Sequence, residues 1–397
     1  MWGPSSLHIR EPREGFVIQG APLGLLEVLA NGAGFIRRRE ASYLPTDGDV
    51  YVPPKLIRQF GLRTGDELVG EVGRAPKGKN PPLQRLLRVN GEPPEALIGR
   101  PEFSRLSAVH PKERLVLECD LSRRGQPDYT NRVIDLFCPF GKGQRALIVA
   151  PAKAGKTTVL RSVAEGVVKN DPAATLFVLL VDERPEEVTE MEAAGFGEVI
   201  ASSFDHPASQ HVAVAEITLE RARRRVEMGA DVVLILDSIT RLARAYNAVE
   251  RGTGRTLTGG LDAAALEKPK RFLGSARKID PAQGGGSLTI IATALVDTGS
   301  RMDDVIYEEF KGTGNSELVL SRELAERRIF PAIDLAASGT RREELLLDES
   351  TLQASRALRR ALSGFSPAEA MTRLLDLMRR TASNAELVEQ VLAGMPV

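Results

Sequence analysis

One stretch constrains this chain more than any other: Ala150-Pro151-Ala152-Lys153-Ala154-Gly155-Lys156-Thr157-Thr158. An aliphatic run, Ala146 to Val149, precedes it, and a helical pattern from Val159 to Val168 follows. The order strand, loop, helix with a loop ending in Gly-Lys-Thr is the terminal signature of a phosphate-binding loop. The residue types suit that chemistry. Backbone N–H groups at a helix N-terminus point at phosphate oxygens, and the helix dipole adds positive potential there. Gly155 lets the backbone approach closely, Lys156 can neutralise the outer phosphates, and Thr157 offers a hydroxyl to Mg²⁺. Ala150 stands where the usual pattern opens with Gly.

The rest of the composition narrows the class. A chain of 397 residues with 42% hydrophobic residues has room for two or three globular domains. The formal net charge is +0, so any nucleic-acid site must be a local patch rather than a property of the whole surface. Cys119 and Cys138 lack metal-ligand spacing, and a reduced, cytoplasmic compartment is the expectation. The first residues have no apolar signal core, and no apolar run is long enough to span a bilayer.

Residues 1–19 read as a flexible tail, punctuated by Gly3, Pro4, Pro12 and Gly15. Residues 20–95 hold short strands, Gly24 to Leu29, Phe35 to Arg37, Asp49 to Val52, Glu67 to Val72 and Leu83 to Val89, separated by Gly turns. Five such strands suit a small β-barrel of the oligonucleotide-binding kind, which stacks single-stranded bases on aromatic rings beside basic residues. Phe35 and Tyr51 are the available aromatics, with Arg37, Arg38, Arg39 and Lys55 nearby. The same rings suit the core of a barrel. Residues 96–131 are rich in Pro, Arg and Glu and read as a packed connector.

From 132 to 397 the pattern changes again. Ala146 to Val149, Thr175 to Val181, Val232 to Leu236 and Leu288 to Ala292 are aliphatic runs suited to buried parallel strands. Helical patterns alternate with them at Val159 to Val168, Glu186 to Ala193, Ala208 to Met228 and Asp262 to Arg277. This implies an α/β domain with a mostly parallel sheet and a ligand at the carboxyl ends of its strands. Asp237 ends one run and suits a Mg²⁺-organising carboxylate, although Asp237 and Ser238 also suit a helix cap. Glu183 ends another and is the candidate for orienting the attacking water; the same strand end suits an ion pair, for Asp182 as for Glu183. Transition-state charge calls for an arginine, and spacing does not choose among Arg322, Arg327, Arg328, Arg341 and Arg342. Three further helices fit Thr351 to Leu362, Pro367 to Arg379 and Ala385 to Leu392, assigned to packing and inter-subunit contact.

Longer strings carry a resemblance. Val181-Asp182-Glu183-Arg184-Pro185-Glu186-Glu187-Val188-Thr189-Glu190-Met191, the run Leu236 to Asn247, and Tyr307 to Asn315 join the phosphate loop in resembling the bacterial transcription termination factor Rho family, from about Gly24 to about Leu346. The resemblance implies a RecA-like P-loop ATPase domain behind an OB-fold or cold-shock-like barrel. It implies a homohexameric ring that binds nascent single-stranded RNA and hydrolyses ATP with Mg²⁺. Such a ring moves along RNA, unwinds the RNA–DNA hybrid and releases the transcript from the RNA polymerase elongation complex. By position, it places Lys153, Ala154, Gly155, Lys156, Thr157 and Thr158 at the nucleotide, with Phe330 packing on adenine. Thr157 and Asp237 serve the metal, and Glu183 the water. Arg341 matches the arginine that reaches a neighbour's site, and Arg184 and Arg328 match further arginines at the subunit junction. Two loops match those lining the ring's hole: Gly254 to Gly260, including Thr256, Leu257, Thr258 and Gly259, and Asp297 to Arg301, where Arg301 replaces the family's usual Lys.

Two other classes compete. A RecA-like ATPase of another kind, such as a rotary-ATPase subunit or a DNA recombinase, is disfavoured by the barrel and the two loops. A catalytically silent RNA binder is disfavoured by intact Lys156, Glu183, Asp237 and Arg341. Departures from the family cluster in the barrel. Residues 1–19 offer little for the helical N-terminal subdomain of many members, and Lys77 to Pro82 has no counterpart from which base contacts could be carried over. Ala33 stands where many members carry a stacking aromatic, which predicts weaker primary RNA binding. Ala33→Phe is expected to tighten oligo(C) binding by about 1–3 kcal/mol, one base platform. Equal affinity of the two proteins in a filter-binding titration would argue against this.

Overall fold

The computed structural model describes residues 22–123, 125–250, 256–257 and 260–394. It divides into two compact units at Arg100 and Pro101.

In the first unit, β1 (Gly24–Val28), β2 (Gly34–Arg37), β3 (Val50–Val52), β4 (Glu67–Val72) and β5 (Leu83–Val89) form one antiparallel sheet in the order β3-β2-β1-β4-β5. The two ends meet through a bridge between Tyr51 and Pro82, so the sheet curls towards closure. Helix α1 (Pro54–Phe60) starts on a proline and ends at left-handed Gly61. Leu26, Ile36, Val52, Leu68 and Val89 fill the interior with no exposed surface. Gly24 adopts a φ of +143°, and a Cβ there would lie 2.1 Å from the Arg37 carbonyl oxygen, so only glycine fits. Buried Asp66 accepts from both guanidinium nitrogens of Arg100, at 2.7 and 2.5 Å, and from the Asn90 amide at 2.8 Å. That fork fixes the end of the unit.

The second unit is built on a parallel sheet: β6 (Arg145–Pro151), β7 (Thr175–Glu183), β8 (Glu198–Ser203), β9 (Asp231–Asp237), β10 (Ser287–Val296) and β11 (Ser316–Val319). Their spatial order is β8-β7-β9-β10-β6-β11, with Gly339–Thr340 pairing antiparallel on the β11 edge. Leu147, Ile148, Val178, Leu179, Ile235, Leu236, Ile290 and Ile291 are fully buried, as a sheet covered on both faces requires. The covering helices are α2 (Thr130–Phe137), α3 (Lys156–Asn170), α4 (Pro185–Ala194), α5 (Ala208–Val226), α6 (Ile239–Val249), α7 (Glu267–Gly274) and α8 (Arg301–Lys311). The C-terminal helices Glu349–Leu362, Pro367–Arg379 and Asn384–Leu392 lock onto α2. There Arg132 donates to Asn384 Oδ1 at 3.1 Å and to the carbonyls of Met378 and Thr381 at 3.0 and 2.9 Å.

The structure departs from the sequence reading between Asp262 and Arg277, where one helix is expected. The carboxylate of Asp262 accepts from Ala264 N and opens a short 3-10 turn, Ala263–Leu266, before α7. After Gly274 the chain turns extended, and Arg277–Ile279 pairs antiparallel with β10 and with Ala108–Val109. Backbone pairing with the connector overrides the local periodicity. The connector is docked, as its composition suggests. Phe103 N–H donates to Glu227 at 2.8 Å, and its ring lies 5.5 Å from the Arg223 guanidinium carbon and 4.8 Å from that of Arg277.

Gly166 on α3 meets the same region: a Cβ there would lie 2.6 Å from both Asn131 Nδ2 and the Leu117 carbonyl oxygen. Alanine gains about 1 kcal/mol of helix propensity over glycine. Overpacking typically costs about 1–3 kcal/mol, and here the clash is with backbone. Gly166→Ala is therefore expected to destabilise the protein by up to about 2 kcal/mol, the packing term exceeding the propensity term. A raised denaturant midpoint would refute that balance.

Candidate active site

The phosphate loop joins the carboxyl end of β6 to the first turn of α3. Lys153 and Gly155 both take left-handed conformations, with φ of +64° and +89°, and these fold the loop back over the start of the helix. No side chain caps α3. The first N–H groups of a helix have no intrahelical acceptor. An uncapped helix start of this kind suits an anion. Ala154 is buried, Thr157 half-buried, and Lys153 and Thr158 are exposed.

Lys156 is the hub. Its ammonium lies 2.8 Å from Glu183 Oε1 and 2.7 Å from Asp237 Oδ1. Asp237 Oδ1 also accepts from Thr293 Oγ1 at 2.6 Å. Thus α3, β7, β9 and β10 each deliver one group to the same point. Burial pulls the Lys156 ammonium down, but Asp237 and Glu183 outweigh it and hold its pKa above the usual lysine value. Burial raises the Asp237 carboxyl, against the opposing pull of Lys156. Glu183 Oε2 is buried and has no aligned donor, though Arg241 Nη1 stands 3.1 Å away as an ion-pair partner. A spare acceptor on a buried carboxylate is what orienting a water requires. Glu187 sits on the same rim, its carboxyl raised by burial and then by the Glu183 charge.

Phe330 reaches the loop from the far side. It is 50% exposed, and a Cβ on Gly155 would lie 3.8 Å from its Cε1, so the ring borders the phosphate loop. Arg328 precedes it in a left-handed turn, exposed. Arg184, also exposed, lines an open groove of about 840 Å³ with Asp182, Phe204, Arg241, Arg244 and Thr298. Arg341 is elsewhere. Its N–H donates to the Asn315 carbonyl at 2.8 Å, and Asn315 N–H to the Arg145 carbonyl at 2.7 Å, at the opposite end of β6. Seven residues of strand separate that end from the phosphate loop. At about 3.3 Å per residue this is roughly 20 Å, so Arg341 does not reach the loop of its own chain.

The loop Asp297 to Arg301 is held at its root. Asp303 accepts from Arg244 at 2.7 and 2.6 Å and from Thr298 Oγ1 at 2.6 Å, and is almost wholly buried. Arg301 opens α8 and is exposed. Thr256 and Leu257 pair with Asp262 and Leu261 as a short ribbon, while Thr258 and Gly259 lie outside the described residues. On the barrel, Phe35 and Tyr51 are half-buried and meet edge to face, centroids 5.8 Å apart. Arg37 sits 5.2 Å from the Phe35 ring centroid, but it is buried and engaged by Glu27 and Asp49, each at 2.5 Å. Its charge braces the ring; Arg38, Arg39 and Lys55, elsewhere on the barrel unit, are exposed.

Comparison with known proteins agrees with both units. The Rho termination factor RNA-binding domain matches residues 23–95, and the ATP synthase alpha/beta family nucleotide-binding domain matches 130–340. Transcription termination factor Rho of Cereibacter sphaeroides is 51% identical over 380 residues, covering 95% of this chain and 88% of that one. The chain belongs to the transcription termination factor Rho family. The Aquifex aeolicus member is 52% identical over 376 residues, covering 93% and 84%. The Gemmatimonas aurantiaca member is 55% identical over 372 residues, and there the chain spans 94% of itself but 50% of the relative. Among solved structures, a type III secretion system ATPase of pathogenic bacteria shares the fold, with TM-score 0.57 and 24% identity over 66% of this chain and 83% of that one.

Sequence reading of a Rho family site missed Arg241, Thr293, Arg244 and Asp303. Thr293 left a weak signal, one of three hydroxyl residues in the otherwise aliphatic run of β10. Arg241 and Arg244 lie inside the family string but point to partners that only the fold brings near.

Removing the hub leaves Asp237 without its ion-pair partner and Glu183 with Arg241 alone, on side chains only 3% and 2% exposed. Lys156→Met is expected to destabilise the protein by about 3–5 kcal/mol at pH 8. A carboxyl raised above its unfolded value contributes stability at low pH that is lost as pH rises, so the deficit shrinks by pH 5. Denaturant titrations at the two pH values test this; a deficit that grows on acidification would contradict it.

Proposed function

We propose that this chain is an RNA-dependent ATPase of transcription termination. Residues 20–95 bind nascent single-stranded RNA, and residues 132–397 form the ATPase domain of a cytoplasmic homohexamer. The ring translocates along RNA, unwinds the RNA–DNA hybrid and releases the transcript from the RNA polymerase elongation complex. The observation that carries the reading is Lys156 bridged between Glu183 and Asp237 beside an uncapped α3.

The steps follow from these residues. The N–H groups of the first turn of α3, with Lys153 and Lys156, bind the triphosphate, and Phe330 flanks the base. Lys156 exchanges a carboxylate partner for a phosphate oxygen, a move between two anionic environments that keeps it charged. Thr157 and Asp237 would hold Mg²⁺. Among the described residues no three acidic, His or Cys side chains form a metal cluster, and two protein oxygens completed by phosphate and water suit this ion. Mg²⁺ supplies neutralisation of phosphate charge when bound. Glu183 then orients the water through its spare oxygen. Arg341, too distant from its own loop, serves the site of an adjacent copy, with Arg184 and Arg328 near the same junction. Arg301 and the Gly254 to Gly260 loop contact RNA, as do Phe35 and Tyr51 on the barrel.

Steady-state ATP hydrolysis tests the reading. Poly(C) is expected to stimulate turnover strongly and DNA not at all. Glu183→Ala is expected to lower turnover by about 10²–10⁴-fold while ATP still binds. Turnover indifferent to RNA would overturn the translocase reading.

A further inference from the structure

Glu183 does not lie in regular strand. The pairing of β7 with β8 runs in register from Phe177 opposite Glu198 to Val181 opposite Ser202, then shifts so that Glu183 stands opposite Ser203. Asp182 is the extra residue. It takes a left-handed φ of +57°, unusual for a side-chain-bearing residue, and its carboxylate is part-exposed. A bulge of this kind re-aims the side chain beside it. Here that side chain is Glu183, turned onto Lys156 at 2.8 Å and buried. Beyond the bulge, Phe204 N–H donates to the Glu183 carbonyl at 3.2 Å and closes the distortion.

One side chain from outside the two strands touches both sides of it. His211, on the first turn of α5, is 5% exposed. Its Nδ1 shares a 2.7 Å hydrogen bond with Ser202 Oγ on β8, and its Nε2 faces Asp182 Oδ1 at 4.0 Å on β7. The tautomer with its proton on Nε2 serves both: it accepts from the Ser202 hydroxyl and presents an N–H to the Asp182 carboxylate. Burial lowers the His211 pKa below the usual histidine value, with Asp182 opposing, which favours the neutral ring. No step of the proposed hydrolysis uses this histidine.

We propose that His211 is a positioning residue for Glu183: it pins the Asp182 bulge between Ser202 and α5 and so fixes the aim of the water-orienting carboxylate. The proposal rests on the reading that Glu183 orients water.

The test uses the full chain with Mg²⁺, ATP and poly(C). His211→Ala is expected to lower kcat by about ten- to a hundredfold, the scale for a catalytic group displaced by an ångström or less. KM for ATP and binding of a non-hydrolysable analogue stay unchanged, because the phosphate loop is untouched. His211→Asn, whose amide can take the place of Nδ1 beside Ser202, recovers most of the turnover. Ser202→Ala lowers kcat in the same manner, and the double variant loses no more than the worse single one, since both act through one contact. Ser202→Ala also carries the test if His211→Ala does not fold. Unchanged kcat in both single variants, losses that multiply, or an Asn variant as slow as Ala would each overturn the proposal. Glu183→Gln separates the two levels. If it retains turnover, the water-orienting reading fails and the proposal with it. If it is inactive while His211→Ala is normal, only the positioning role fails.

Discussion

A single ammonium group organises the second unit. Lys156 sits between two carboxylates that are almost fully buried and is the cation the two share. Its position depends on α3 starting directly after the phosphate loop, and those of Glu183 and Asp237 on β7 and β9 ending side by side. Thr293 on β10 supplies the remaining donor. Four elements thus converge at the carboxyl ends of adjacent parallel strands, where the fold leaves a crevice. The desolvation that makes this trio costly also makes it useful. In the proposed reaction, a phosphate at Lys156 would meet a charge already largely shielded from water, and the freed carboxylates would be left for metal and water.

Charge is handled the same way elsewhere. The chain has formal net charge +0, and its buried ions are matched locally. Lys142 is surrounded by Glu113, Asp171 and Asp231, at 2.7, 2.7 and 3.0 Å. Burial pulls that lysine down, yet the three carboxylates outweigh it and push its pKa well above the usual value. The cluster ties the connector, through Glu113, to the amino-terminal end of the sheet. Arg132 does similar service for the C-terminal helices using carbonyls rather than acids. Neutral overall charge therefore coexists with local positive sites: buried arginines such as Arg37 and Arg132 are held by structural partners, while others, Arg38, Arg184, Arg301 and Arg341 among them, are exposed.

Much of this was legible in the residues. The aliphatic runs located β6, β7, β9 and β10 because strands buried on both faces need near-continuous apolar side chains. The strand ends then placed Glu183 and Asp237 correctly. Strands β8 and β11 were not legible, since Glu198–Ser203 and Ser316–Val319 mix polar and apolar residues at the flanks of the sheet. The helix expected over Asp262 to Arg277 failed for a different reason. Its periodicity is real, but Arg277–Ile279 finds backbone partners on β10 and the connector. Arg37 shows the limit for binding residues: sequence marks it as a cation beside an aromatic, and only the fold reveals that Glu27 and Asp49 already hold it.

The geometry also bears on the proposed assembly of several copies. Arg341 stands at the far end of the sheet from its own phosphate loop, so any site it completes belongs to another molecule. Within one chain, α6 links the two other parts of the apparatus. Arg241 on its first turn stands against Glu183, and Arg244, three residues on, grips Asp303 at the root of the Asp297 to Arg301 loop. An α-helix turns about 100° per residue, so residues three apart share one face of a rigid rod. The Arg244–Asp303 pair and the Arg241–Glu183 pair thus tie the root of the loop and the buried carboxylate to the same helix.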